Sequence, residues 1–482
     1  MSSIMWFRDD LRLADNPALL AATDDGGVVA VYILDEESEG LRPLGGAARW
    51  WLHQALTGLH SDLADRGIQL VLRRGPAATV MSALVQELNP ESIYWNRRYW
   101  EPERVVDTAV KENSRVAGVH AESFQASLLH EPWKVTTGQG GQYRVFTPFW
   151  NQLKKLDFRH PMEAPSVGAN PRDPRPGKEI PAIGSDDLAT WTLVPAGSTW
   201  PEKLATHWSP GEAAAWRLLE EFSEEAVADY EEGHDFPGIA GTSRLSPYLR
   251  WGHISPFQLW HALSEAPGPS TAGAAAFLRQ VGWREFCWHQ LFHHPELAQA
   301  NLRRVFDGFD WRWPTEPGSA TPARLRGIRS PTATTEQAVS EEPVDAWKAG
   351  CTGLPMVDAG MRQLWETGWM HNRVRMLVAS FLTKNMGVHW QVGEQWFWET
   401  LVDADQASNP ANWQWVAGSG ADASPFFRIF NPQTQAKRFD ANGRYVSRWV
   451  PDAALPDYPE PLEDLSESRR RALADYDRIK KS

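Results

Sequence analysis

GWMHNRVRM (368–376), DADQASNPANWQWVAG (403–418) and PFFRIFNPQTQAKRFD (425–440) form the densest part of this chain in Trp, Asn, Asp and Arg. A plain apolar core would not select that mixture. The first segment continues as a helix, in which Asn372, Arg375 and Met376 fall at i, i+3 and i+4 and share one face. Val374, Leu377, Val378 and Phe381 cover another face and read as core. Aromatic walls, amide and carboxylate partners and guanidinium clamps together suit a cofactor with a flat ring and a charged tail. The chain carries 26 Trp in 482 residues. Each buried indole N–H needs a partner, so this excess points to stacking surfaces, electron relays or both.

Outward from this stretch the pattern is helical. Leu219, Phe222, Ala226 and Tyr230 follow helical spacing, and similar patterning covers 255–264, 274–293, 358–367, 370–385 and 392–402. The N-terminal part differs. Short apolar, β-branched runs at 3–7, 28–34, 68–73 and 92–95 alternate with helical segments at 46–66 and 77–88. That alternation predicts a parallel sheet covered by helices on both faces. No GxGxxG follows the first strand, so a dinucleotide site is not supported. Between the two parts, 161–201 turns to Pro, Gly, Ser and Asp without periodicity. The expected division is an α/β domain at 1–128, an interdomain linker at 129–211 and an all-α domain at 212–482. A second Pro/Ser/Thr-rich piece, 314–343, reads as an inserted surface loop.

Bulk properties exclude several classes. Two cysteines, Cys287 and Cys351, rule out a disulfide framework and four-Cys metal or iron–sulfur sites. No apolar run is long enough to cross a bilayer, and Met1 to Leu11 lacks a signal-peptide apolar region, so a cytoplasmic location is expected. The net charge of −13 argues against a protein that coats nucleic acid, although Lys437, Arg438, Arg444 and Arg448 lie close together in a stretch of low acid content, which leaves room for a local basic groove.

Seven separated motifs carry a resemblance. They are WFRDDLRLADNPAL (6–19), GTSRLSPYLRWGHISP (241–256), WREF (283–286), GWMHNRVRM (368–376), DAD (403–405), NWQW (412–415) and FRIFNPQTQ (427–435). In this order and over nearly the full length, the chain resembles the photolyase/cryptochrome family. RWWLH (49–53) and DAGMRQLWETGWMHNRVRM (358–376) are most similar to class III, class I-like, cyclobutane pyrimidine dimer photolyases. The resemblance implies a Rossmann-like α/β domain joined to an all-α domain that binds FAD, working as FADH⁻. It implies a monomeric light-driven lyase acting on UV-damaged DNA, single- or double-stranded, with no metal and no membrane.

For the flavin, the resemblance implies contacts from Tyr230, Thr242, Ser243, Arg244, Leu245, Ser246, Trp283, Arg284, Asn372, Arg375, Asp403, Asp405 and Asn409. On the residues alone, 242–246 reads as a helix start with a capping hydroxyl and a surface arginine. Asn372 corresponds to the residue facing flavin N5; photolyases carry Asn there and plant cryptochromes Asp. A neutral amide cannot act as an acid, which favours the anionic reduced flavin. Electrons are expected to reach the flavin through Trp413, Trp390 and an outer Trp311, with Trp313 as runner-up. Phe397 lies nearby in the pattern.

For DNA, Trp283 and Trp415 match the aromatic walls around a flipped dimer and Met376 its floor, while Arg373, Arg428 and Arg438 match phosphate contacts. Gln280 is a departure, since dimer photolyases usually carry Glu three residues before this Trp. Gln hydrogen-bonds but supplies no proton. Enzymes for (6-4) photoproducts carry Gln there, yet they also need a His pair where this chain has Arg375 and Met376. A blue-light photoreceptor of the cryptochrome kind is the rival reading. The expected antenna is methenyltetrahydrofolate, or else 8-hydroxy-5-deazaflavin, held by Arg49, Trp50, Trp51, Glu101 and Glu103. The two indoles also suit simple packing against a sheet.

Overall fold

The computed structural model describes residues 2–166, 183–194, 197–264, 271–314, 338–339, 341–423 and 427–481. Its first part is a five-stranded parallel sheet in the order β3-β2-β1-β4-β5, built from β1 (Ser2–Phe7), β2 (Gly27–Leu34), β3 (Gln69–Arg74), β4 (Ser92–Asn96) and β5 (His120–Phe124). The first four match the apolar runs in the sequence. β5, HAESF, is an edge strand with little apolar content, and gave no such signal. Between the strands run α1 (Pro17–Asp24), α2 (Gly46–Ala64), α3 (Ala77–Leu88) and α4 (Glu101–Val116). The period of two along β1 splits the core. Ile4 and Trp6 pack with Met81, Leu84, Val106 and Val110 on one face. Met5 and Phe7 pack on the other with Trp51 and Leu56.

Strand order reverses between β1 and β4, the place where open α/β sheets bind ligands. Here the protein's own charges fill that crevice. Asp107 pairs with Arg8 at 3.2 Å and Arg98 at 2.6 Å, and the Asn96 amide donates to Asp10 at 2.6 Å. This agrees with the missing dinucleotide fingerprint.

The connecting span expected as a linker carries structure. It includes α5 (Phe146–Leu153), a 3₁₀ turn at Leu188–Trp191 and α6 (Trp200–His207). The rest is helical apart from a 3₁₀ turn at Arg304–Gly308 and a short parallel strand pair, Trp313–Pro314 with Ala338–Val339: α7 (Glu212–Glu225), α8 (Tyr230–Gly233), α9 (Ser246–Arg250), α10 (Pro256–Ser264), α11 (Thr271–His293), α12 (Glu341–Ala349), α13 (Pro355–Thr367) and α14 (Asn372–Ser380). A π-helical turn, Phe381–Asn385, extends α14. Then come α15 (Trp390–Thr400), α16 (Ser408–Ala417), α17 (Pro432–Phe439), α18 (Arg444–Trp449) and α19 (Leu465–Lys481). Most of the loop expected over 314–343 lies outside the described residues. No helix among the described residues is long and apolar enough to cross a membrane.

The two parts share a core. The sheet face under α2 is continuous with Leu245, Tyr248, Trp251 and Phe257 of the helical part. Polar contacts across this joint are buried. The Arg12 guanidinium donates to the Gly252 carbonyl at 3.0 Å, and Arg250 pairs with Asp9 at 2.8 Å. The Trp51 indole N–H donates to His253 Nε2 at 3.1 Å, so His253 Nδ1 carries the proton and donates to the Leu11 carbonyl at 2.9 Å. Both nitrogens are committed to the neutral ring, and burial lowers the His253 pKa to about 4.

A histidine whose folded pKa is depressed gives stability that is present above its unfolded pKa, and that is lost as pH falls through the folded value. For His253 the window runs from about 6.5 down to about 4. Glu103 and Glu285, raised by burial to about 7, act in the opposite sense, so a variant comparison isolates the histidine. Between pH 7.5 and pH 5, His253→Gln is expected to lose about 2 kcal/mol less stability than the unaltered protein, read by urea unfolding.

Candidate active site

A cavity of about 480 Å³ opens in the helical part between α8, α9, α11, α14 and α16. It gathers segments far apart in sequence. Tyr230 comes from α8, where it stacks on His234 with ring centroids 4.9 Å apart. Thr242, Ser243, Arg244, Leu245 and Ser246 follow at the entry to α9. Arg244 adopts a left-handed backbone, φ 54°, and its guanidinium lies 4.4 Å from the Trp208 ring. α11 supplies Gln280, Trp283 and Arg284 from one side.

The opposite wall is polar. Arg375 clamps Asp403 through two hydrogen bonds, 3.1 and 2.8 Å, and the Ser246 hydroxyl donates to the same carboxylate at 2.6 Å. Asp405 turns its carboxylate back to accept the amides of Ala407 and Ser408, which orders the start of α16. The Asn409 amide donates to Glu394, leaving its own oxygen uncommitted by that bond. Asn372 is exposed to the cavity at the first turn of α14, with Arg375 and Met376 on the same face. The shared face follows from their spacing, and Val374, Leu377 and Val378 lie buried on the other side.

Not every expected residue lies on this cavity. Trp413 does, held against Phe397 at 4.9 Å and Trp347 at 6.2 Å. Trp390 is fully buried, and its indole N–H donates to Asn301 at 2.9 Å. Trp311 and Trp313 meet Trp390 through one imidazole. His389 lies 5.1 Å from Trp311, 4.2 Å from Trp313 and 5.4 Å from Trp390. Neither outer indole is open to water: Trp311 and Trp313 are each only 3% exposed.

Among the expected phosphate contacts, Arg428 and Arg438 are exposed. Arg373 already pairs with Asp235, and its guanidinium lies 4.5 Å from the Phe439 ring. The antenna expectation needs correction. Trp50 and Trp51 are 3% and 0% exposed, packed into the core under the sheet, so neither offers a free ring face. Arg49 is tied to Glu36, and Glu103 is buried against Arg98 at 3.8 Å; Glu101 is exposed. Packing against a sheet is what RWWLH encodes.

Other cavity residues escaped the sequence reading. His234 and Cys287 line it, as does Trp369, whose indole N–H donates to Ser246 at 3.2 Å. Trp369 lies inside the quoted GWMHNRVRM, so its neighbourhood was the available signal. Lys384 gave none. It sits on the π turn, 1% exposed, with its ammonium 3.1 Å from the Phe427 centroid, and burial holds its pKa well below the usual lysine value.

Comparison with known proteins places this geometry. Residues 3–166 match a family profile described as DNA photolyase, and residues 277–455 match the FAD binding domain of DNA photolyase. The chain belongs to the photolyase/cryptochrome family. It is 43% identical to the deoxyribodipyrimidine photo-lyase of Agrobacterium fabrum, over 99% of this chain and 98% of that protein. It is 33% identical to cryptochrome-1 of Arabidopsis thaliana, over 93% of this chain and 63% of that protein. Among solved structures it is similar to a bacterial class III photolyase from Agrobacterium tumefaciens, with a TM-score of 0.87 and 43% identity, covering 100% and 98% of the two chains.

The cavity fits the flavin that this family's domain binds. Hydroxyls and a guanidinium at the α9 entry suit a pyrophosphate, and Tyr230, Trp369 and Phe397 line the cavity beside its polar residues. Close packing against α15 holds the inner wall. A Cβ on Gly393 would lie 2.1 Å from Trp413 Cη2 and 2.7 Å from Leu382 Cδ2. Gly393→Ala is therefore expected to destabilise the protein by about 1–3 kcal/mol through overpacking. Gly58→Ala, in the interior of α2 with nothing within 4 Å of the added carbon, should stabilise it by about 0.5–1 kcal/mol. Denaturant unfolding of the two variants side by side tests both.

Proposed function

We propose that this protein is a DNA photolyase that splits cyclobutane pyrimidine dimers under light. One observation carries the reading. A single cavity is lined both by the polar set suited to a flavin and by Trp283, Trp415, Met376 and Gln280, the set suited to a flipped dimer. When bound, the reduced flavin supplies the light-driven electron that opens the cyclobutane ring and afterwards takes it back, with no net redox change.

The chain's own residues do the rest. Trp283 and Trp415 offer ring faces to the extruded bases, each stacking contact worth about 1–3 kcal/mol against a few kcal/mol for unstacking. Gln280 hydrogen-bonds the pyrimidine edge without moving a proton. Exposed Arg428 and Arg438 hold phosphates and set register. For Arg373 a phosphate must share the guanidinium with Asp235, which makes its contribution the smallest of the three. Asn372 would hold the flavin as a neutral amide, and the Arg375–Asp403 pair would fix charge within the same cavity. Trp413, Trp390 and Trp311 are proposed to carry electrons inward, with His389 packed among the outer rings. The protein is proposed to act as a monomer in the cytoplasm. The likeness to a class III enzyme makes methenyltetrahydrofolate the proposed second chromophore, away from the buried Trp50–Trp51 pair.

The test is illumination of the purified, flavin-reduced protein with DNA carrying either a cyclobutane dimer or a (6-4) photoproduct, scoring restored bases. Restoration of the dimer alone is expected. Restoration of neither, with normal photoreduction of the flavin, would move the assignment to a photoreceptor. Gln280→Glu should raise the yield of dimer repair, and an unchanged or lower yield would count against the role given to Gln280.

A further inference from the structure

Trp283 has two ring faces, and one is already covered. Phe146 lies on it with ring centroids 3.7 Å apart and planes within 8°. Phe146 is 1% exposed and is backed by Trp150, 6.3 Å away and within 10° of parallel. Phe286 meets its edge at 5.9 Å, and the Arg279 guanidinium lies 5.4 Å from its centroid. The three rings of Trp150, Phe146 and Trp283 are thus nearly parallel, and of them Trp283 lines the cavity. The stack forms because α5 packs closely on α11. A Cβ on Gly282 would lie 2.4 Å from Trp150 Cε3, so only glycine next to Trp283 admits that ring.

We propose that Phe146 is a positioning residue that fixes the plane of the Trp283 wall, and so the preference for a joined pair of pyrimidines over an ordinary base. An indole on a cavity wall has two side-chain torsions to lose on stacking. Fixing its plane beforehand removes that loss from the binding step. The inference rests on the dimer-repair reading above, and it assigns a role within it to a residue from the connecting segment.

The experiment measures affinity of the flavin-loaded protein for dimer-containing and undamaged DNA. Phe146→Leu, which keeps apolar volume and removes the ring, should weaken dimer binding about 3- to 10-fold and leave undamaged DNA unchanged. Phe146→Tyr should retain the preference. In a Trp283→Ala background, Phe146→Leu should add no further loss, because its effect passes through that indole. Equal losses on both DNAs, no loss on either, or full additivity with Trp283→Ala overturns the proposal. If Phe146→Leu does not accumulate as a flavoprotein, Trp150→Phe trims the parallel ring packed next to Phe146. A dimer-specific loss there supports the proposal, and unchanged discrimination overturns it. An unaltered protein that does not prefer dimer DNA overturns both this inference and the repair reading. Discrimination in the unaltered protein with none lost in the variants sinks this inference alone.

Discussion

A carboxylate taken fully out of water must be neutralised where it sits, and Glu394 is such a group. It is 0% exposed in the middle of α15. Arg42, from the α/β part, meets it with two hydrogen bonds at 2.7 and 3.0 Å and lies over Trp398 at 4.1 Å. Asn409, at the cavity, donates to the same carboxylate at 2.7 Å. One buried charge thus links the sheet domain, the helix behind Trp413 and the polar edge of the cavity. Without Arg42 the charge would stand uncompensated, at a cost of about 3–5 kcal/mol.

Close packing around α15 follows from the same joint. A Cβ on Gly45 would lie 1.9 Å from the Trp398 carbonyl, so the start of α2 approaches the α15 backbone directly. The Trp398 indole N–H donates to the Pro43 carbonyl at 2.9 Å, and the next helical turn presents Gly393 to Trp413. A rigid inner wall results, while the outer walls of the cavity are aromatic planes held from behind. Trp283 is layered on Phe146, and Trp415 stands on α16, whose start is ordered by Asp405.

Many of the indoles have specific jobs in this arrangement. Trp51, Trp208, Trp251 and Trp398 donate their N–H groups to partners at or near the joint between the two parts. The excess of Trp is therefore divided between joining the domains and lining the cavity. Composition alone did not separate these uses, and the assignment of Trp50 and Trp51 to an antenna failed for that reason. Adjacent aromatic residues on an amphipathic helix look the same in sequence whether they face a ligand or a sheet.

The sequence by itself determined the strand–helix alternation, the helical character of the second part and the membership of Asn372, Arg375 and Met376 on one face. These are local consequences of side-chain period and need no knowledge of neighbours. Through its resemblance to the family it also singled out Tyr230, Thr242 to Ser246, Gln280, Trp283, Asp403, Asp405, Asn409, Trp413 and Trp415, all of which the fold brings to one cavity. Only the tertiary structure decided which rings are covered, that the span around Phe146 packs behind the site, that Arg373 is already paired, and that Lys384 is buried. Burial and pairing depend on which distant segments meet, and no spacing within a single helix or strand records that meeting.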